Sequence, residues 1–174
     1  MTNPLTATHP APDWLRELVT ARTHYEELLG WPVRVDVQSR CVTVPVGIVL
    51  DALTMPAPLG EKVRVEPGLT RLGPVAADPQ GERWTFLTQP AVATHRDIPA
   101  ELRELEVHTA AHGTPMVIPT GIEDAGDGGW QWVELPRPRQ SLPPWSAVLS
   151  AIRRIAAELV SSGPGGLRAP RLDR

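Results

Sequence analysis

Lysine, cysteine, phenylalanine and tyrosine each occur only once in these 174 residues. A lone cysteine, Cys41, excludes an internal disulfide framework and a multi-cysteine zinc site. No run of about 18 apolar residues is present, which excludes a hydrophobic membrane-spanning helix. The N-terminal stretch "MTNPLTATHPAPD" has no basic start followed by an apolar core, so a cytoplasmic, reduced protein without membrane attachment is expected. Positive charge is also short. Of the 17 basic residues only Lys62 is lysine, and the net charge of -3 argues against a general nucleic-acid coat, which needs clustered cations. No glycine-rich phosphate loop is seen, because "GPGG" at 163–166 follows a helical pattern instead of opening one.

What is abundant is proline (20), with 41% hydrophobic residues. That is enough for one ordinary core and too little for two. Residues 1–12 carry three prolines and read as a flexible arm; residues 13–162 form a single globular domain; residues 163–174 read as a disordered basic tail. Asp13 is expected to cap a helix whose stripe runs through Trp14, Leu18 and Tyr25 to a stop at Gly30. "VRVDVQSRCVTVPVG" predicts a hairpin turning at Gln38 and Ser39. "IVLDALTM" predicts a central strand, and "PAPLGEKVRVE" a helix starting at a proline. A second hairpin turns at Asp78 to Gly81, and "DIPAELREL" is a short helix capped by Asp97. Short strands follow at Val107, at Met116 to Ile118 and in "WQWVEL". The last helix has a stripe of Trp145, Val148, Leu149, Ile152, Ile155, Ala156, Leu159 and Val160, ending before Gly163. These alternations predict an α+β fold, a mixed sheet with flanking helices.

Several residues invite a chemical reading. His108 and His112 stand four apart, a metal-binding spacing on a helix, yet the glycine and proline that follow and the missing third ligand argue against a metal. Glu123, Asp124 and Asp127 lack the ligand alternation of a calcium loop and read as a solvated acidic loop. Cys41 sits in a valine-rich strand, where a buried, inert thiol is expected. The six tryptophans, Trp14, Trp31, Trp84, Trp130, Trp132 and Trp145, read as core and interface anchors before base-stacking platforms. Asp51 ends an apolar run just before Pro56, so its plain reading is a strand-end residue bonded to the following turn.

The succession "HYEELLGWPV", "LDALTMPAPLG", "GPVAADPQGERWTFLTQP", "HGTPMVIPTG" and "WQWVELPRPRQSLPP" resembles the actinobacterial branch of the bifunctional DNA primase/polymerase (prim-pol) N-terminal domain, over about Asp13 to Val160. The resemblance implies an RRM-like catalytic core joined to a smaller antiparallel unit. It also implies an Asp-x-Asp pair and a further acid holding two divalent ions, with a histidine on the nucleotide phosphates. Two metals stabilise the attacking and leaving oxygens of an in-line displacement and need several carboxylates. Here the first acid falls on Asp51, the second on Leu53, the histidine slot on Arg83 and Trp84, and the third acid on Glu106. Asp51 and Glu106 are thus vestigial positions, and neither a catalytic centre, a bound metal nor a cofactor is expected. The implied function is a degenerate prim-pol domain acting as a non-catalytic binding or regulatory module, with a protein partner or a second copy of itself. The alternative is retained nucleotide or single-stranded DNA binding with residual polymerase activity, through Arg64, Arg71, Arg83, Arg96 and Trp84. Asp51, Asp78, Glu82 and Glu106 offset those arginines, so such binding is expected to be weak.

Overall fold

The computed structural model describes residues 11–69, 72–92, 96–121 and 129–161. The arm expected at 1–12 and the tail at 163–174 therefore lie almost wholly outside the described residues. The first helix, α1 (Asp13–Leu29), forms where the predicted stripe lies and buries Leu18, Ala21 and Tyr25. Its N-cap is Pro12, not Asp13; Asp13 is the first helical residue and pairs with Arg16 one turn on. A carboxylate there still favours the positive end of the helix dipole. Gly30 ends the helix at φ 67°, a conformation that costs a side-chain-bearing residue energy, and its N–H donates to the Glu26 carbonyl at 3.1 Å.

Strands β1 (Arg34–Asp36) and β2 (Cys41–Pro45) form the expected hairpin. The Asp36 carboxylate accepts from the backbone N–H groups of Gln38 and Ser39 inside the turn. The bond from Ser39 is the main reason that this carboxyl titrates below its ordinary range. β2 then pairs antiparallel with β7 (Pro115–Ile118), giving a three-stranded sheet in the order β1-β2-β7. All of its pairs are antiparallel.

The larger sheet contains β3 (Asp51–Pro56), β4 (Val75–Ala77), β5 (Arg83–Thr88), β6 (His108–Thr109) and β8 (Gln131–Glu134), in the order β6-β3-β5-β4-β8. Every pair is antiparallel, so the parallel pairs of a mixed sheet are absent among the described residues. Helix α2 (Ala57–Arg64) follows β3 with Pro56 as its N-cap, and α3 (Ala100–Glu104) precedes β6. The succession β3-α2-β4-β5-α3-β6 is thus βαββαβ, with β3 and β5 at the centre. Asp97 does not cap α3: the helix begins after Pro99, whose fixed φ suits a helix start, and Asp97 lies three positions earlier. Asp78 does organise the β4–β5 turn, accepting from the N–H groups of Glu82 and Arg83.

Neighbouring residues of β3 and β5 point to opposite faces, and the two faces meet different cores. Leu53 and Phe86 pack with α2, α3 and the long α4 (Trp145–Ser161). Ala52 and Leu87 pack with α1, β2 and Ile118 of β7. In α4 the buried residues are Trp145, Val148, Ala151, Ile152, Ile155 and Ala156. The stripe stops there. Leu159 and Val160, expected on the same face, are exposed at 38% and 82%, because the last turn runs past the surface that covers the rest. The fold is α+β, and among the described residues no helix is long and apolar enough to cross a membrane.

Candidate functional site

Asp51 opens β3 instead of ending a strand, and its side chain is fully buried. It bonds no turn before Pro56. Its Oδ1 accepts from Arg96 Nη2 at 2.7 Å and from the Ala52 N–H at 3.1 Å, while Oδ2 accepts from the Ala91 N–H at 3.2 Å. Arg96 reaches in from the segment before α3, and its Nη2 also donates to the Ala110 carbonyl at 2.8 Å. The carboxylate is therefore enclosed, neutralised and hydrogen-bonded at both oxygens, the condition under which a charge can stay buried. Gly47 closes the loop beside it. At φ 89° it has no room for a Cβ, which would stand 2.4 Å from His112 Cδ2 and 3.2 Å from Arg96 Nη1.

Leu53, two residues on, is fully buried against Phe86, its cross-strand neighbour. Glu106 stands elsewhere. The β3–β6 register pairs Leu53 with Thr109 and Thr54 with His108. Continuing it sets Glu106 level with Pro56, at the far end of β3 and roughly 17 Å from Asp51 at strand spacing. Two carboxylates so far apart cannot share an ion whose ligands sit about 2.0–2.6 Å from it. Glu106 adopts φ 57° and is clamped by Arg83, which donates to its carbonyl at 2.7 Å and to its Oε2 at 3.3 Å. Among the described residues no three His, Cys, Asp or Glu side chains gather as a metal-binding group.

The arginines are dispersed. Arg64 joins Glu134 at 3.2 Å between α2 and β8, Arg83 holds Glu106, and Arg96 holds Asp51 at the other end of β3. Arg71 lies outside the described residues. Trp84 is half-buried opposite Met55 and lies against Gly60 of α2, where a Cβ would come within 2.9 Å of its ring. That ring is packed, not a free stacking platform. His108 is exposed on β6 and His112 sits before the Gly113 turn, so their spacing is not helical and gives no common face. Glu123, Asp124, Asp127 and the "GPGG" segment lie outside the described residues. Cys41 is half-buried, not fully buried, at the start of β2; burial and then the charge of Asp36 push its thiol above the ordinary range.

One cleft adjoins the ion pair. Its volume is about 480 Å³, and Arg96, Asp97, Ile98, Arg103, Val107 and His108 line it beside β6. The Arg96 side chain, 14% exposed, forms part of its wall. Sequence reasoning placed Arg96 among groove cations but could not find its partner, since no local pattern links residues 45 positions apart. No family model, curated protein or solved structure matches the chain.

Proposed function

We propose that the chain is a prim-pol-like domain that has lost nucleotidyl transfer and serves as a non-catalytic binding or regulatory module, cytoplasmic and acting on a protein partner or a second copy. The observation that carries this reading is the Asp51 carboxylate, both of whose oxygens are engaged by Arg96, Ala52 and Ala91. An ion held there would have to displace an arginine from a fully buried partner. Leu53 offers no oxygen, and Glu106 is committed to Arg83 at the far end of the strand. The kinship is supported by the βαββαβ succession with β3 and β5 central, the arrangement of an RRM-like core. Kinship of fold alone would leave activity open. Primer extension with all four deoxynucleotides and Mg²⁺ or Mn²⁺ is the test. Purified protein should incorporate nothing; template-directed incorporation that follows the protein through purification and disappears in Asp51→Asn or Glu106→Gln would overturn the proposal.

A second reading has one observation in its favour, the cleft whose lining includes the exposed Arg103 beside Arg96, itself 14% exposed and held by Asp51. Retained binding of single-stranded DNA there would fall with salt at a log-log slope of roughly 0.7 per phosphate contact. Anisotropy of a labelled oligonucleotide across a salt series tests it, with Arg103→Ala as the variant that should weaken binding.

A further inference from the structure

The loop between β8 and α4 holds two exposed cations, Arg137 and Arg139. Seven arginines of the described residues are joined to carboxylates. Arg137 and Arg139, like Arg34, Arg40 and Arg103, are exposed and form no ion pair among the described residues; these two stand side by side on one turn. They sit on a built turn: the Gln140 N–H donates to the Arg137 carbonyl at 3.1 Å, Pro138 occupies the second position, and Arg139 takes φ 62° in the third. That third position normally belongs to glycine or asparagine in a turn of this type. An arginine held left-handed costs about 1–2 kcal/mol, and such strain persists where the surroundings fix it. Gln140 supplies the fixing, donating from its side-chain amide to the Leu72 carbonyl at 3.2 Å.

The turn overhangs a groove. Between the C-terminal half of α1 and β8 lies a cleft of about 360 Å³ whose walls include His24, Leu28, Leu135, Pro136, Arg137 and Pro138. A second cavity of about 90 Å³, lined by Leu29, Trp31 and Arg139 among others, shares Pro136 and Arg137 with it. Leu28 and Leu135 are 40% and 47% exposed, high for leucines. One acid, Glu134, lines the cleft itself, and its carboxylate is already held by Arg64 at 3.2 Å. β8 is one of the two edge strands of the five-stranded sheet, with β6 at the other side. An apolar floor, an edge strand and two unpaired cations on a strained turn match one kind of occupant by charge and shape.

We propose that this groove docks an extended, acidic segment of a partner protein, its apolar side chains on Leu28 and Leu135 and its carboxylates on Arg137 and Arg139. Peptides commonly lie along sheet edges in this way, the backbone giving affinity and alternate side chains giving specificity. The inference rests on the reading of the chain as a binding module but not on the loss of nucleotidyl transfer: activity in primer extension would overturn that loss with peptide docking intact.

The probe is a short fluorescein-labelled peptide of alternating Glu and Leu, followed by anisotropy against the full chain. Saturable, salt-sensitive binding is expected, weaker for Gln/Leu and Glu/Ser counterparts, and reduced roughly tenfold or more in Arg137→Glu/Arg139→Glu. Arg139→Gly separates docking from folding, because it should weaken binding while leaving the thermal midpoint unchanged or raised. Equal affinity for the Gln/Leu peptide, or indifference to the charge reversal, overturns the proposal. So does an oligothymidylate that displaces the peptide and depends on the same two arginines, since the groove would then serve a phosphate polymer.

Discussion

Cutting the Asp51–Arg96 pair from one side and then from both separates a structural charge pair from a remnant without consequence. Arg96→Met leaves a fully buried carboxylate with only the N–H groups of Ala52 and Ala91. Losing one partner of a buried ion pair costs about 3–5 kcal/mol. For a chain of this size 1 kcal/mol moves the thermal midpoint by about 2–4 °C, so the midpoint should fall by about 6–20 °C. Asp51→Leu should cost less, because Arg96 is 14% exposed and keeps the Ala110 carbonyl, so its guanidinium can turn into the cleft. The double variant Asp51→Leu/Arg96→Met removes both charges and both desolvation costs. It should recover to within about 1 kcal/mol of the parent, since apolar replacements of buried pairs are often neutral or better. Urea unfolding of the four proteins, read by tryptophan fluorescence, closes the cycle. If Arg96→Met loses less than about 1 kcal/mol, a scale typical of ordinary substitutions, or if the two losses simply add, the pair is not the enclosed unit described above.

Three further outcomes are expected. Ile152→Ala, at a fully buried position of α4, should cost about 2–5 kcal/mol, whereas Val160→Ala at the exposed end should stay within about 0.5 kcal/mol; chemical denaturation of both variants checks the contrast. The Tyr25 hydroxyl donates to the Pro119 carbonyl at 2.6 Å and accepts from Trp132 Nε1 at 3.0 Å, and burial raises its pKa. An unfolded tyrosine ionises near pH 10 while the folded one keeps its proton, so stability should be full below about pH 10 and fall as pH rises beyond it; Tyr25→Phe should flatten that slope, and an unchanged slope would refute the assignment. Cys41 should react with iodoacetamide slowly at pH 8 and faster as pH rises, and Asp36→Asn should quicken the reaction by removing the second cause of its raised pKa.

Local pattern made much of the fold legible. The α1 and α4 stripes, the Gly30 stop and the Asp78 turn all rest on residues within a few positions of each other, where spacing and turn chemistry act. The misses share a different cause. Pro12 in place of Asp13 and Pro99 in place of Asp97 are shifts of a few positions at helix starts, where proline's fixed φ outcompetes a side-chain cap. The exposure of Leu159 and Val160 depends on how far the facing surface extends. The candidate site was legible only in part: Asp51 stands out in the sequence, but its bond to Arg96 spans 45 positions and its distance from Glu106 follows from the β3–β6 register, neither of which anything short-range encodes. The groove beside α1 was invisible for the same reason, being assembled from residues more than a hundred positions apart.

The three-stranded sheet has a consequence for how the chain is made. Val42 of β2 finds its partner in Ile118 of β7, so at about 5–20 residues per second a ribosome needs roughly 4–15 s to supply it. Through that interval the valine-rich hairpin β1–β2 offers an open edge, and Leu18, Tyr25 and Val44 wait for Ile118 to complete their core. Exposed strand edges recruit other chains. Translation speed between codons 45 and 115 should therefore govern how much of the protein is recovered soluble, and a chaperone that shields the nascent hairpin should matter more than one that acts on the finished chain.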